Sequence, residues 1–461
     1  MMRSMNLARV AQELGIEFDG VARPIAGVAI DSRKVNQGDL FVALPGARVD
    51  GHEYVERAAE QGAIAAIVER PKEASIPCYL VADSLTAMSD IARANRADFS
   101  GTVVAMTGSC GKTTVKNICH SIFRLADSTV ATEGNYNNEF GVPLTLARLS
   151  DETRYAVVEM GAAGRGHIAQ LCSLARPSVS VVLNAMEAHL DGFGTVADVA
   201  DIKAEIYDDL PAGGTAVINQ DQPWAEVWER RAAETGASKL TYSVWESADV
   251  FASDIEASGV ASSRFALHYE GLQVAVELPL PGEHSVSNAL AAASLALGAG
   301  LNLELVAQGL ARAEGEAGRL QATSLNDSTT LIDDSYNANP GSVRAAIAYL
   351  DGAFRRPALI LGEMLELGEE SEAMHREMGE LARDAKLQSF VGVGEMLKPA
   401  VAAFGPGGSW CAEVSEVAEL IAELVDNCDA ILVKGSRGAV LDRFVFMFRS
   451  AGDSTDAVAS C

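Results

Sequence analysis

The chain has 461 residues, 48% apolar and 21% charged, a globular composition that excludes disordered, collagen-like and coiled-coil chains and implies two to four domains. Thirty-six basic against 63 acidic residues leave a net charge of −27, which repels polyanions and argues against general nucleic-acid binding. Small anionic substrates would then need pockets made of backbone N–H groups and a few Lys or Arg. Seven cysteines with no C-x-x-C pair fit neither a disulfide framework nor a zinc ribbon, and point to a reducing cytoplasm.

In chain order, Leu7, Val10, Ala11 and Leu14 form one helical stripe without the apolar run of a secretory signal. Residues 1–85 read as a small α/β domain punctuated by turns at 37–39 and 45–46. Residues 86–313 read as a central domain in which TVVAM, YAVVEM, VSVVLN and TAVIN are apolar strands buried on both faces of a parallel sheet. Between about 240 and 280 the period turns toward two, which predicts an antiparallel patch on that sheet. Helical periodicity returns at 286–297; the alanine-rich run at 289–299 is too short to span a bilayer, so membrane insertion is not expected. Residues 314–318 resemble a hinge, and 314–461 read as a doubly wound, Rossmann-like domain with a disordered terminal tail.

Residues 103–114, VVAMTGSCGKTT, place a buried strand directly before Gly108, Ser109, Cys110, Gly111, Lys112, Thr113 and Thr114 and then an amphipathic helix. In that context the loop reads as a phosphate cradle: inward N–H groups, Lys112 for the β- and γ-phosphates, and the Thr113 hydroxyl for Mg²⁺. Met106 stands where the strict P-loop pattern has glycine. Glu159 ends the strand YAVVEM, at the sheet edge where Mg²⁺ between phosphates needs an oxygen ligand. His189 follows another strand end, and a downstream helix brings Lys203 and Glu205 back toward the same edge; the other histidines considered (52, 120, 167, 268 and 375) read as ordinary core or surface residues. If buried, Lys203 would lose much of its preference for charge and could add CO₂ to become a carbamate; on spacing alone it reads as a surface lysine.

TGSCGKTT, TEGNYNNEFGVPLTL (132–146), EMGA (159–162), AHL with downstream IKAEI, and GEHSVSNALAAASLA (282–296) together resemble the Mur ligases, ATP-dependent amide-forming enzymes of peptidoglycan precursor synthesis, over nearly the whole chain. IDDSYNANPGSVRAAI (332–347), LGEMLELG (361–368) and VKGSRG (433–438) resemble the member that adds D-alanyl-D-alanine to UDP-N-acetylmuramoyl-tripeptide. Glu363 stands where the family usually has Asp, and Ala185-Met186 where it has an Ile-Gly-like pair. The resemblance implies a cytoplasmic, monomeric enzyme using ATP and two Mg²⁺. Thr113 and Glu159 would serve the first ion; His189 and carbamylated Lys203 would serve the second. Asn288 would contact adenine and Asp334 ribose, with Asn337 on the nucleotide side. Arg319, assisted by Lys434, would meet the γ-phosphate as the third domain closes. Ser32 and Arg33 would contact the uridine diphosphate, and Thr132, Asn135, Asn137 and Asn138 the muramoyl-peptide side. Three alternatives remain: the sister ligase that adds the third amino acid, whose arginine-bearing substrate motif has no counterpart here; a folylpolyglutamate-synthase-like ligase; and a P-loop switch.

Overall fold

A computed structural model describes residues 2, 5–46, 49–187, 193–245, 247–439, 441 and 444–445. It is a three-domain α/β protein with one sheet per domain. The first sheet is parallel and ordered β1-β2-β3-β4, from Val28–Ala29, Leu40–Val42, Ala65–Val68 and Cys78–Leu80. The helix Ser84–Ala97 is capped by the Asp83 side chain and buries Ala87, Met88, Ile91 and Ala94 against this sheet. Its Ala92 joins the central core, and the Asn95 amide donates to the carbonyls of Leu146 and Leu149. A border at residue 85 thus meets the start of a helix held by both domains. That helix has apolar residues on two sides, which gives its sequence no single allegiance.

The central sheet contains β5 (Thr102–Thr107), β6 (Thr129–Ala131), β7 (Tyr155–Glu159), β8 (Val179–Val182), β9 (Thr215–Asn219), β10 (Ser238–Ser243), β11 (Val250–Ala257), β12 (Ser263–Tyr269) and β13 (Leu272–Leu278). Their order is β13-β12-β11-β10-β9-β8-β5-β7-β6. Pairing is parallel from β6 to β11, while β11-β12-β13 form the expected antiparallel patch. Apolar residues cover both faces. The helices Lys112–Ala126 and Glu283–Gly298 cover one, and helices that include His167–Ala175 and Val196–Ala204 cover the other. The alanine-rich run lies in Glu283–Gly298, where it is buried in that core. Among the described residues no helix is long and apolar enough to cross a membrane.

The third sheet is ordered β14-β15-β19-β16-β17-β18, from Gln321–Ser324, Thr330–Asp334, Pro357–Gly362, Ser389–Val393, Gly408–Cys411 and Ala430–Lys434 in chain order. Only the β14 edge is antiparallel. Apolar clusters on both faces make it the doubly wound layer its strand pattern predicts. The expected tail falls outside the described residues.

Candidate active site

A cavity of about 520 Å³ opens between the central and third domains. Its floor is the loop between β5 and the helix Lys112–Ala126, so both the strand ends and the helix N-terminus face it. No side chain caps that helix, and its first N–H groups remain available to an anion. Gly111 has φ +81°, and a methyl group added there would lie 2.5 Å from Oδ1 of Asn288. Only glycine gives this turn without strain and brings Asn288 against the cradle. Gly111→Ala is expected to cost about 1–2 kcal/mol of stability and to weaken nucleotide binding at least tenfold, checked by thermal unfolding and ADP titration calorimetry.

A second network holds the loop from behind. Asn184 Oδ1 accepts from the Cys110 N–H (2.9 Å) and its Nδ2 donates to the Cys110 carbonyl (3.2 Å), clamping the backbone of Cys110 on both sides of its Cα. The Ser109 hydroxyl accepts from the Met186 N–H at 3.0 Å, so Met186 anchors the cradle through its backbone despite departing from the family's usual residue pair. From the third domain, Asn339 Nδ2 reaches Cys110 Sγ at 3.0 Å.

Glu159 is 1% exposed. Its Oε1 accepts from Asn137 Nδ2 at 2.7 Å and lies 3.4 Å from the Thr113 hydroxyl, while its Oε2 has no hydrogen-bond partner among the described residues. A buried carboxylate oxygen left unmatched is costly unless a cation meets it. The residues present therefore fit a divalent ion. Among the described residues no three His, Cys, Asp or Glu side chains form a metal cluster by themselves, so Glu159 and Thr113 need phosphate oxygens to complete a shell. The Lys112 ammonium donates to the Gly108 carbonyl at 2.6 Å; burial draws its pKa below the ordinary value, and the nearby Glu159 opposes that shift.

A second cavity, about 510 Å³, reaches the same loop from the other side and shares Ser109, Lys112 and Asn137 with the first. Lys203 lines it, 4% exposed; burial, reinforced by the Lys112 charge, pushes its pKa down to about 7. The surface reading of Lys203 is thus replaced by a buried amine that is about half neutral at pH 7. Asn138 and His167 also line this cavity, although His167 reads in sequence as an ordinary core or surface histidine.

Asn135, Asn137, Asn288, Arg319, Asp334, Asn337 and Lys434 converge on the first cavity with the cradle. Lys434 is buried and donates to Asp334 Oδ2 at 2.6 Å and to the Asn337 carbonyl at 3.1 Å, which makes it part of the cavity wall. Thr132 lines neither cavity. It is buried, and its hydroxyl accepts from the Glu159 N–H at 3.0 Å, so it supports the carboxylate from behind rather than facing a substrate. Ser32 is buried in the first domain and Arg33 is exposed in a bidentate pair with Asp31; neither lines the two cavities. Their loop still meets the asparagine loop, where Lys34 Nζ is 3.3 Å from the Tyr136 hydroxyl. His189 lies outside the described residues. Residues that the sequence did not single out for the site include Asn184, Asn339 and Tyr336; of these only Asn339, just before Pro340, carries a local signal, that of a helix N-cap.

Comparison with known proteins matches three successive models: "Mur ligase family, catalytic domain" at residues 24–98, "Mur ligase middle domain" at 106–296, and "Mur ligase, glutamate ligase domain" at 318–437. The UDP-N-acetylmuramoyl-tripeptide--D-alanyl-D-alanine ligase of Escherichia coli K12 is 38% identical over 98% of this chain and 100% of its own length. The chain belongs to the Mur ligase family. As a Mur ligase it also superposes on solved structures. A MurF crystal structure from Acinetobacter baumannii matches with a TM-score of 0.88 and 31% identity over 96% of this chain and 98% of that one. The MurF ligase of Thermotoga maritima in complex with ADP matches with a TM-score of 0.80 and 27% identity over 93% and 98%. In this Mur ligase the P-loop, the Glu159 shelf and the hinge arginine all fall within the matched segments.

Proposed function

We propose that the protein is the ATP-dependent ligase that joins D-alanyl-D-alanine to UDP-N-acetylmuramoyl-tripeptide in peptidoglycan synthesis, releasing ADP and phosphate. The observation that carries the chemistry is that two cavities meet at Lys112. A nucleotide seated on the helix N-terminus and a carboxylate arriving past Lys203 would approach one another there. The similarity to named ligases along the full chain supports the identity of the two substrates.

The tripeptide's terminal carboxylate oxygen attacks the γ-phosphorus, the bond to the bridging oxygen breaks, and ADP leaves. The dipeptide amine then adds to the carbonyl of the acyl phosphate, loses a proton, and the tetrahedral adduct collapses to amide and phosphate. The cradle's N–H groups orient the triphosphate. Lys112 exchanges its contact with the Gly108 carbonyl for phosphate oxygens, and Arg319 brings a second fixed cation from the third domain. Closure of that domain also excludes water, which would hydrolyse the acyl phosphate. Thr113 and Glu159 would hold one Mg²⁺, and Lys203 as a carbamate, with His189, would hold another. When bound, the ions neutralise charge between a carboxylate and a polyphosphate, which at ~4 Å would otherwise repel by several kcal/mol.

With Mg·ATP and the UDP-muramoyl tripeptide, phosphate release is expected to depend on added D-alanyl-D-alanine, and mass spectrometry should find the pentapeptide product. ATP turnover indifferent to both peptide substrates would overturn the assignment. Turnover with glutamate and a pterin acceptor instead would favour the folylpolyglutamate-synthase-like reading.

A further inference from the structure

Among the described residues, four cationic side chains line the interdomain cavity: Lys112, Arg319, Lys434 and Arg437. Three of them are engaged. Lys112 bonds the Gly108 carbonyl, Arg319 donates to the Thr113 hydroxyl and lies 3.2 Å from Glu316, and Lys434 is held by Asp334 and the Asn337 carbonyl. Arg437 differs. It is exposed, it stands just beyond the end of β19, and among the described residues it has neither a hydrogen-bond nor an ion-pair partner; the Tyr336 ring lies 5.7 Å from its guanidinium carbon. In a molecule of net charge −27, an unengaged arginine facing the reaction cavity calls for an anion.

Resting on the ligase reading above, we propose that Arg437 is the specificity-determining residue that receives the C-terminal carboxylate of the incoming dipeptide. Reach is consistent with the match. The guanidinium carbons of Arg319 and Arg437 lie 4.2 Å and 5.7 Å from the centroid of the same Tyr336 ring, so they are separated by at most about 10 Å. A dipeptide spans about 7 Å from amine to carboxylate, and can present its amine near Arg319 while its carboxylate reaches Arg437. The planar fork of Arg437 suits a bidentate carboxylate, and both guanidiniums lie within reach of the Tyr336 ring.

The test compares D-alanyl-D-alanine with D-alanyl-D-alaninamide, whose C-terminus is uncharged, on the full-length wild-type chain and on Arg437→Gln. In the wild type the amide should raise KM about 10- to 100-fold, the range expected for a charge-assisted hydrogen-bonded contact. Arg437→Gln should raise KM for the dipeptide by a similar factor, leave KM for ATP within twofold, and no longer distinguish acid from amide. Equal use of acid and amide by the wild type would overturn the proposal, and that comparison does not depend on the variant folding. A variant that loses ATP affinity but keeps its dipeptide KM would overturn it too, by assigning Arg437 to the nucleotide. Failure of the wild type to consume any dipeptide would instead overturn the ligase reading itself.

Discussion

Replacing Lys203 with alanine is expected to lower the ligase kcat by about 100-fold or more, since even loss of a residue that only supports a metal ligand costs about 10- to 100-fold. Short carboxylic acids such as acetate should restore part of the rate, because they supply the carboxylate that the alanine cavity lacks. The pH dependence follows from the same amine. With a pKa near 7, Lys203 is about nine-tenths neutral at pH 8 and about one-tenth neutral at pH 6. Only the neutral amine adds CO₂, so activity should fall as pH drops through 7 and rise with added bicarbonate at a fixed pH.

Stability also carries a mark of the free amine, and in the same direction. Its folded pKa lies below the 10.5 of the unfolded chain, so between about pH 7 and 10.5 the unfolded state binds more protons. In CO₂-free buffer the wild type should therefore gain stability with rising pH across that window relative to Lys203→Ala. Full activity of the alanine variant, or an alanine variant whose lost activity no carboxylic acid restores, would remove the carbamate from the mechanism.

How much of this could be read from residues alone depended on whether the signal was local. The cradle is a contiguous strand, loop and helix start, so its chemistry and its context lie within about a dozen residues. The antiparallel patch was legible because alternation at β12 and β13 leaves one side in water. By contrast, β6, β14 and β18 are short edge strands with mostly half-buried residues, and they carry neither a continuous apolar run nor a clean alternation. Asn184 was invisible for another reason: it clamps the backbone of a residue 74 positions away in the chain, and no spacing rule relates the two. Thr132 was assigned to the substrate by resemblance, whereas its contact is the backbone of Glu159, a partner that only the pairing of β6 beside β7 brings near. The ion pair of Arg344 with Glu187, joining the third domain to the central one, is likewise a product of closure and not of sequence neighbourhood.

Arg319→Ala is expected to reduce kcat by about 10³-fold, the scale of a guanidinium that stabilises transferring phosphoryl charge, with a much smaller change in ATP affinity. The geometry explains the asymmetry. Arg319 Nη2 is 3.0 Å from the Thr113 hydroxyl, across the domain border, and its guanidinium lies over the Tyr336 ring at 4.2 Å. On the proposed reading the helix N-terminus and Lys112 on the central domain would hold the nucleotide without it, so its contribution would belong to the closed, reacting state. Gly318 and Leu320, at φ +74° and +52°, are both left-handed. Leucine adopts that conformation at a cost, so the bend that delivers Arg319 is imposed by the packing of the third domain rather than by local preference. Arg319→Lys keeps the charge but loses the planar stack and fork, and should recover only a small part of kcat. Tyr336→Leu leaves the charge in place and removes the ring beneath it, so a loss of a few-fold is expected from a contact worth about 1 kcal/mol. Steady-state kinetics with ATP and both peptides, together with ADP titration of each variant, separates these effects. A kcat for Arg319→Ala within tenfold of wild type would place the decisive cation elsewhere, and equal losses in ADP affinity and kcat would make Arg319 a ground-state nucleotide ligand.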